Sequence, residues 1–375
     1  MKNRMELFEN APVWKAYFTI SLPVVFSMVV TLVYNMVDTF FVAGTQNASL
    51  VAGVSQCTPL FMLMLALGDI FGLGGSSLIS RLFGQKDDET ARNVSGFCFY
   101  AAIVCGLIVT VLMFAFQGPV LRVLGATSDT LKYASQYYFW IALGAPLIIL
   151  SLTPSNIIRT EGLAMQSMIA SVAGSILNIV LDPIFIFTLG MGAGGAALAT
   201  VLGYVLSDVL LVCYILRKSR HLTVSIRHAR VARKFVTSVF VIGIPASLTN
   251  LMQSYNIMVL NRHLISYGPK AVAAMGITMK VNMIIMMILV GFAFGAQPLI
   301  GYAYGAGNRS RLRAVIRFDL LVEVGFSAVA SVVVIVLAPQ LIGMFMNDAS
   351  VVSYGTGMLR WFTLTTPFCG IVLVL

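Results

Sequence analysis

Ten long apolar runs, separated by short polar breaks, cover most of the chain: residues 16–43, 50–80, 94–116, 133–153, 166–189, 194–216, 235–261, 271–301, 315–338 and 351–375. A helix of about 20 apolar residues crosses the hydrocarbon core of a bilayer, and a backbone in lipid must satisfy its own hydrogen bonds. Each run therefore predicts one membrane-spanning helix, giving spans 1 to 10. The stretch ahead of them, 1–15, is amphipathic, carries Lys2, Arg4, Glu6 and Glu9, and shows no cleavage-type site. Span 1 is therefore expected to stay in the mature protein.

The pattern repeats at an offset of 221 residues. Gly74-Gly75-Ser76-Ser77-Leu78-Ile79-Ser80-Arg81-Leu82-Phe83-Gly84 aligns with Gly295-Ala296-Gln297-Pro298-Leu299-Ile300-Gly301-Tyr302-Ala303-Tyr304-Gly305. Within one residue, the same offset maps Pro23 to Pro245, Ala52 to Ala273, Arg92 to Arg313, Pro119 to Pro339 and Pro146 to Pro367. Six spans precede the second copy, so both copies enter the membrane in the same sense, related by an axis along its normal. The expected fold class is an all-α polytopic membrane protein with two parallel-repeat helical bundles around a central cleft, 1–222 with six spans and 223–375 with four. The second copy stops opposite Pro154, inside an apolar run. The expectation is a C-terminally truncated chain and twelve spans in the intact protein.

Composition narrows the class further. Of 375 residues, 59% are apolar and 10% charged, where a soluble domain carries about 25% charged residues. A soluble enzyme, a disordered tail and a disulfide scaffold are excluded. The five cysteines, Cys57, Cys98, Cys105, Cys213 and Cys369, all fall in apolar runs and read as small core residues. A net charge of +10 would suggest nucleic acid in a soluble protein, but topology accounts for it here, and no nucleic acid is expected. With the N-terminus inside, eighteen of the 24 Lys and Arg fall on inner segments and four on outer loops. That bias predicts a cytoplasmic N-terminus in a multi-pass protein of the cell membrane. The basic run Arg217 to Lys234 becomes the middle inner linker, with contact to anionic lipid as a second role.

Ionisable groups within spans are costly and point to function. The first half holds Asp38, Asp69, Asp182 and Asp208. Thr31, Asn35 and Asp38 form one polar stripe on span 1, beside Tyr34; Ser175, Asn178 and Asp182 form another on span 5, and Thr200 sits on span 6. Counted from the outer span ends at about 1.5 Å per residue, Asp38, Asp182 and Thr200 lie within about one turn of a common depth. Two carboxylates, an amide and a hydroxyl suit a hard monovalent cation or a shared proton. The plainer alternative is that the same groups form interhelical hydrogen bonds. Asp69, between Gly68 and Gly72, and Asp208 are secondary candidates with Asn35 and Tyr34. In the second half, Lys280 and Arg360 are the charges placed within spans, and Gln253 and Asn256, with Asn282, form the polar stripe. A one-sided ion site is the consequence. Met279, Met283, Met286 and Met287 cluster on span 8, as core filling or as a pliable apolar wall; Gln253, Asn256, Lys280, Met283 and Met287 are the cleft candidates.

Enzyme signatures fail. Gly190-x-Gly192-x-x-Gly195 joins two spans rather than a strand and a helix, His221, His228 and His263 lack ligand spacing, and no Walker A lysine is present.

The strings Asn178-Ile-Val-Leu-Asp182-Pro183, Gly190-Met-Gly192, Gly195-Ala-Ala-Leu-Ala-Thr200, Val37-Asp38-Thr39, Ser80-Arg81-Leu-Phe-Gly84 and Arg159-Thr-Glu161-Gly162 resemble multidrug and toxic compound extrusion (MATE) exporters of the prokaryotic MepA type. The resemblance covers nearly the whole chain. It implies a cation site at Asp38, Asn178, Asp182 and Thr200, and export of organic cations or amphiphiles driven by inward sodium or proton flow. No further cofactor or bound metal is implied, and a monomer in contact with lipid is expected. Gln253 stands where some members carry an acid. A lipid-linked-precursor flippase is the alternative, and would be expected to line its cleft with several cations; a membrane-embedded enzyme would need a catalytic cluster.

Overall fold

The protein, a computed structural model, is described over residues 3–264, 269–344 and 349–374, with side chains described except at 3–5, 249–251, 253–258, 261–262, 269–270, 272–273 and 349. Thirteen α-helices follow in order: α1 (Asn3–Glu9), α2 (Val13–Gly44), α3 (Ala48–Gly84), α4 (Asp88–Ala115), α5 (Gln117–Val123), α6 (Leu131–Arg159), α7 (Ala164–Pro183), α8 (Ala193–Lys218), α9 (Arg233–Leu264), α10 (Pro269–Gly305), α11 (Arg309–Gly343), α12 (Ala349–Leu364) and α13 (Thr366–Val374). No strand occurs among the described residues. The ten expected spans correspond to α2, α3, α4, α6, α7, α8, α9, α10, α11 and the α12–α13 pair. Among the described residues, nine of these segments are long and apolar enough to cross a membrane; α9 is a continuous helix of 32 residues. Span 10 is broken at Thr365, because Pro367 has no N–H to donate to the carbonyl four residues before it. All five cysteines are free.

Helix starts follow from local chemistry. Asn47, Asp87 and Asn308 each accept a backbone N–H of the first turn of α3, α4 and α11, at 3.0–3.1 Å, satisfying donors that a helix start leaves open. Asp87 and Asn308 stand at the 221-residue offset, and so do the residues before them. Lys86 and Gly307 have φ of 62° and 67°, and the N–H groups of Asp87 and Asn308 reach back to the carbonyls of Leu82 and Ala303. Both α3 and α10 therefore end in the same left-handed turn.

Helices α2, α3, α4, α6, α7 and α8 pack on one another, as do α10, α11, α12 and α13, and the two groups meet through α3 on α9, α2 on α10, α3 on α10 and α2 on α11. That grouping is compatible with two bundles. Glycines make the meeting possible. A Cβ on Gly84 would overlap the Tyr302 carbonyl oxygen, and one on Gly305 the Arg81 carbonyl oxygen. Gly74 abuts Val239 and Gly243 of α9, while Gly295 and Gly291 abut Ser21 and Val25 of α2. Each contact has its counterpart, within about one turn, at the repeat offset. Successive long helices reverse direction, so all these close approaches lie in the half of the molecule where the chain begins, called here the N-terminal side. The connection between the groups is strapped to α4: the Thr223 N–H donates to Ser95 Oγ at 2.9 Å, Ser95 Oγ donates to the Thr223 carbonyl at 3.0 Å, and Tyr100 donates to the Val224 carbonyl at 2.9 Å. Outward-facing apolar side chains such as Phe40, Val111, Val336 and Trp361 are exposed, a surface fit for lipid rather than water.

Candidate functional site

Residues spread over α2, α7 and α8 converge toward the far side of the first helix group. Asp182 ends α7 beside Pro183, which cannot donate to the carbonyl four residues before it. The helix continues as one π turn, residues 184–188, an arrangement often found at functional sites. Asn178 lies one turn before Asp182 on the buried face, and Gly174 and Gly203 let α7 and α8 approach backbone to backbone. That approach brings Asn178 Nδ2 to 3.4 Å from Thr200 Oγ1, whose own proton goes to the Ala196 carbonyl at 3.0 Å.

Asp182, Asn178 and Thr200 are 0%, 2% and 4% exposed, and Asp38 of α2 is half-buried. The carboxyl groups of Asp38 and Asp182 face each other at interaction distance. Neither oxygen of Asp182, nor Asp38 Oδ1, nor Asn178 Oδ1 meets a hydrogen-bond donor among the described residues. Four acceptor oxygens thus converge without a donor. Two such carboxylates in a medium of low dielectric repel strongly unless a proton or a cation lies between them, so the arrangement suits binding of either.

Tyrosines surround the pair. Tyr34 of α2 approaches Asp38 and Thr200, Tyr137 of α6 faces both carboxyls, and Tyr204 of α8 stands one turn from Asp208. Tyr34 is among the residues expected from the sequence; Tyr137 is not, and Tyr204 falls between Thr200 and Asp208 at the same four-residue spacing. Asn35 is exposed. Asp208 is 4% exposed with both oxygens unpartnered, deeper along α8 and reached through Tyr204. Asp69 is half-buried and partnered, where Gly68 and Gly72 admit the α6 backbone, a Cβ on Gly68 falling 2.7 Å from the Ile149 carbonyl oxygen.

Lys280 and Met283 are exposed and Met287 is half-buried on α10; the side chains of Gln253 and Asn256 lie outside the described residues. Arg360 donates to the Ile335 carbonyl at 3.2 Å. Lys280 and Arg360 are not, however, the only charges inside second-half spans. Asp319 and Glu323 of α11 are 1% and 0% exposed, and the phenol of Tyr17 donates to Asp319 Oδ1 at 2.7 Å. Asp319, Glu323, Ser327 and Ser331 recur every four residues and are all buried. The same spacing that singles out Asn178 and Asp182 is present in span 9, so buried carboxyls occur in both halves.

Comparison with known proteins follows the same lines. The MatE family model matches residues 23–184 and 245–375. The multidrug export protein MepA of Staphylococcus saprophyticus is 32% identical over 353 residues, 94% of this chain and 78% of MepA; MepA of Staphylococcus aureus strain N315 matches over the same shares at 32%. A solved structure described as the outward-facing conformation of a multidrug resistance MATE family transporter of the MOP superfamily superposes with a TM-score of 0.90 at 29% identity, over 99% of this chain and 83% of that one. A MOP superfamily transporter from Pyrococcus furiosus, described as having a binding pocket of reverse polarity that suggests a different function, superposes at 0.90 and 28% identity, over 99% and 84%.

Proposed function

The chain belongs to the MatE family, and from that premise we propose that it exports organic cations or amphiphilic compounds across the cell membrane, driven by inward flow of sodium or protons bound at Asp38, Asn178, Asp182 and Thr200. The observation that carries the reading is the donor-free convergence of carboxyl and amide oxygens at Asp38, Asp182 and Asn178. A cation or proton entering there neutralises the pair, and the uptake favours the helix arrangement that holds α2, α7 and α8 together. Relatives named as multidrug exporters support a small, varied substrate rather than the lipid-linked precursor of a flippase.

In this reading residues 1–222 and 223–375 act as two halves that rock about their glycine contacts, with the N-terminus and the linker Arg217 to Lys234 on the cytoplasmic side and the chain working as a monomer. Substrate occupies the cleft between the halves, against Gln253, Asn256, Lys280, Met283 and Met287, where flexible thioethers accommodate different apolar shapes. The test is transport in proteoliposomes, with a fluorescent organic cation and imposed sodium or pH gradients. Gradient-dependent accumulation supports the reading; equal movement with and without a gradient, or none in either, overturns it.

A further inference from the structure

The buried carboxyls of α11 are unused by that reading, and they lie at the contact between the two helix groups rather than inside the first. Asp319 and Glu323 sit one turn apart on the buried face of α11. From α2, Tyr17 is 0% exposed and donates to Asp319 Oδ1 at 2.7 Å. Ser21, one turn further along α2 and also 0% exposed, approaches the Tyr17 hydroxyl, yet its Oγ has no hydrogen-bond partner among the described residues. Asp319 Oδ2 and both oxygens of Glu323 are likewise buried without a partner. Helix α10 closes the cluster with Phe292, stacked on Tyr17 at 6.2 Å between ring centroids, and with Ala293 near Glu323; α13 contributes Gly370, where a Cβ would meet Glu323 at 3.4 Å.

The charges around the cluster do not balance it. The titratable groups facing Glu323 are Asp319 on its own helix and Tyr17 on α2; Phe292 and Ala293 of α10 and Gly370 of α13 carry none. No described Lys, Arg or His forms an ion pair with either carboxyl. A buried charge without a partner is strongly unfavourable, and here two carboxyls stand one turn apart. The Tyr17 phenol donates to Asp319 Oδ1 alone, and the nearest other donor is the backbone of Ala293 beside Glu323. The cluster lacks a positive charge, and an unpartnered buried hydroxyl lies beside it.

We propose that Tyr17, Ser21, Asp319 and Glu323 form a second cation site, taking a proton or a hard monovalent cation, whose occupancy holds α2 against α10 and α11 and so keeps the N-terminal side closed. It stands apart from the first site, about 26 to 32 Å away along α2 at about 1.5 Å per residue, and does not depend on the roles given to Asp38 and Asp182. The position explains the effect. The cluster is complete only while α2 lies on the second group, in register with the seats of Gly291 and Gly295 on Val25 and Ser21. Emptied, the two carboxylates repel and hydrate, and both are served by parting α2 from α11.

The test uses the full chain in lipid nanodiscs, with its five cysteines replaced and spin labels at Gln85 and Ala306, exposed positions at the ends of α3 and α10. The label distance is read between about pH 5 and about pH 9, with and without sodium. A short distance that lengthens as protons are withdrawn identifies a proton site, and one that lengthens as sodium is withdrawn identifies a sodium site. Glu323→Gln should hold the short distance throughout. Should that variant not fold, Tyr17→Phe serves: losing a donor to a carboxylate favours its protonated form, so at a proton site the midpoint should move by about tenfold toward lower proton concentration, whereas at a sodium site the loss of a ligand oxygen should move it by about tenfold toward higher sodium. The response must survive in an Asp38→Asn, Asp182→Asn background. A distance insensitive to both cations, a Glu323→Gln or Tyr17→Phe protein that responds as the unmodified one does, or a response lost with Asp38 and Asp182 overturns the proposal.

Discussion

Gly84 and Gly305, separated by the repeat offset, each seat against the other's helix: Gly84 on the Tyr302 carbonyl of α10, Gly305 on the Arg81 carbonyl of α3. Two copies related by an axis along the membrane normal produce this reciprocity. The atoms met are backbone, which cannot swing aside as a side chain can. Gly84→Ala and Gly305→Ala should therefore open the N-terminal side or destabilise the fold by about 2 kcal/mol or more. Gly325→Ala, on an exposed turn of α11 with nothing within 4 Å, should instead raise stability by about 0.5–1 kcal/mol. Thermal unfolding in detergent, with labelling of a cysteine at Ala306, reads both. Equal behaviour of all three variants would contradict the packing account.

The turns that follow these glycines give a second pair of opposite outcomes. Lys86 holds the left-handed conformation that Gly307 holds in the other copy, and a residue with a Cβ is penalised there by about 1–2 kcal/mol. The one described ion pair of Lys86, to Glu9 at 4.0 Å with the Lys side chain 81% exposed, contributes little. Lys86→Gly should leave stability equal or slightly higher, and Gly307→Ala should lower it by about 1 kcal/mol. The melting temperatures of the two variants check the sign.

The spans were legible because run length is a short-range rule, and the polar stripes of α2 and α7 because recurrence every three or four residues is another. Asp38, Asp182 and Thr200 could be matched in depth because counting from span ends fixes height in a bilayer. What could not be read is which faces turn toward each other. Only the packing of α6 brings Tyr137 to the carboxyls of Asp38 and Asp182, whereas Tyr204 shares the four-residue spacing of Thr200 and Asp208 on α8. Asp319 and Glu323 are different: their spacing of four, continued by Ser327 and Ser331, was visible. Their partner Tyr17 lies 302 positions away, and no local rule connects the two.

The strap over the linker gives a prediction independent of transport. Ser95 serves both backbone groups of Thr223, and Tyr100 holds the Val224 carbonyl; Gly96 leaves room for the His228 backbone, 3.2 Å from where a Cβ would stand. Each hydrogen bond contributes about 1 kcal/mol. Ser95→Ala with Tyr100→Phe should free the basic segment 219–232 and raise its trypsin cleavage by about tenfold or more, while the helix content by circular dichroism stays unchanged. A cleavage rate equal to that of the unmodified protein would show that the segment is held by other contacts.

The decisive substitutions for the first site follow from its lack of donors. Asp38→Asn removes one of two facing carboxylates, leaving Asp182 with no repulsive neighbour and less reason to take up a cation; Asp182→Asn does the reverse and adds a donor to a cluster built of acceptors. Each should reduce gradient-driven efflux of a fluorescent cation to background while membrane insertion and folding persist. Asn178→Ala withdraws one neutral oxygen and the contact with Thr200 at 3.4 Å, a smaller loss, and should weaken the dependence on the driving cation by about tenfold. Asp69→Asn, at a glycine-lined packing contact with α6, and Asp208→Asn, reached only through Tyr204, should do less. Efflux assayed across the five variants at matched expression separates the accounts. Equal losses at all four carboxyls, or full activity with Asp38 and Asp182 replaced, would return the polar stripes of α2 and α7 to plain helix packing.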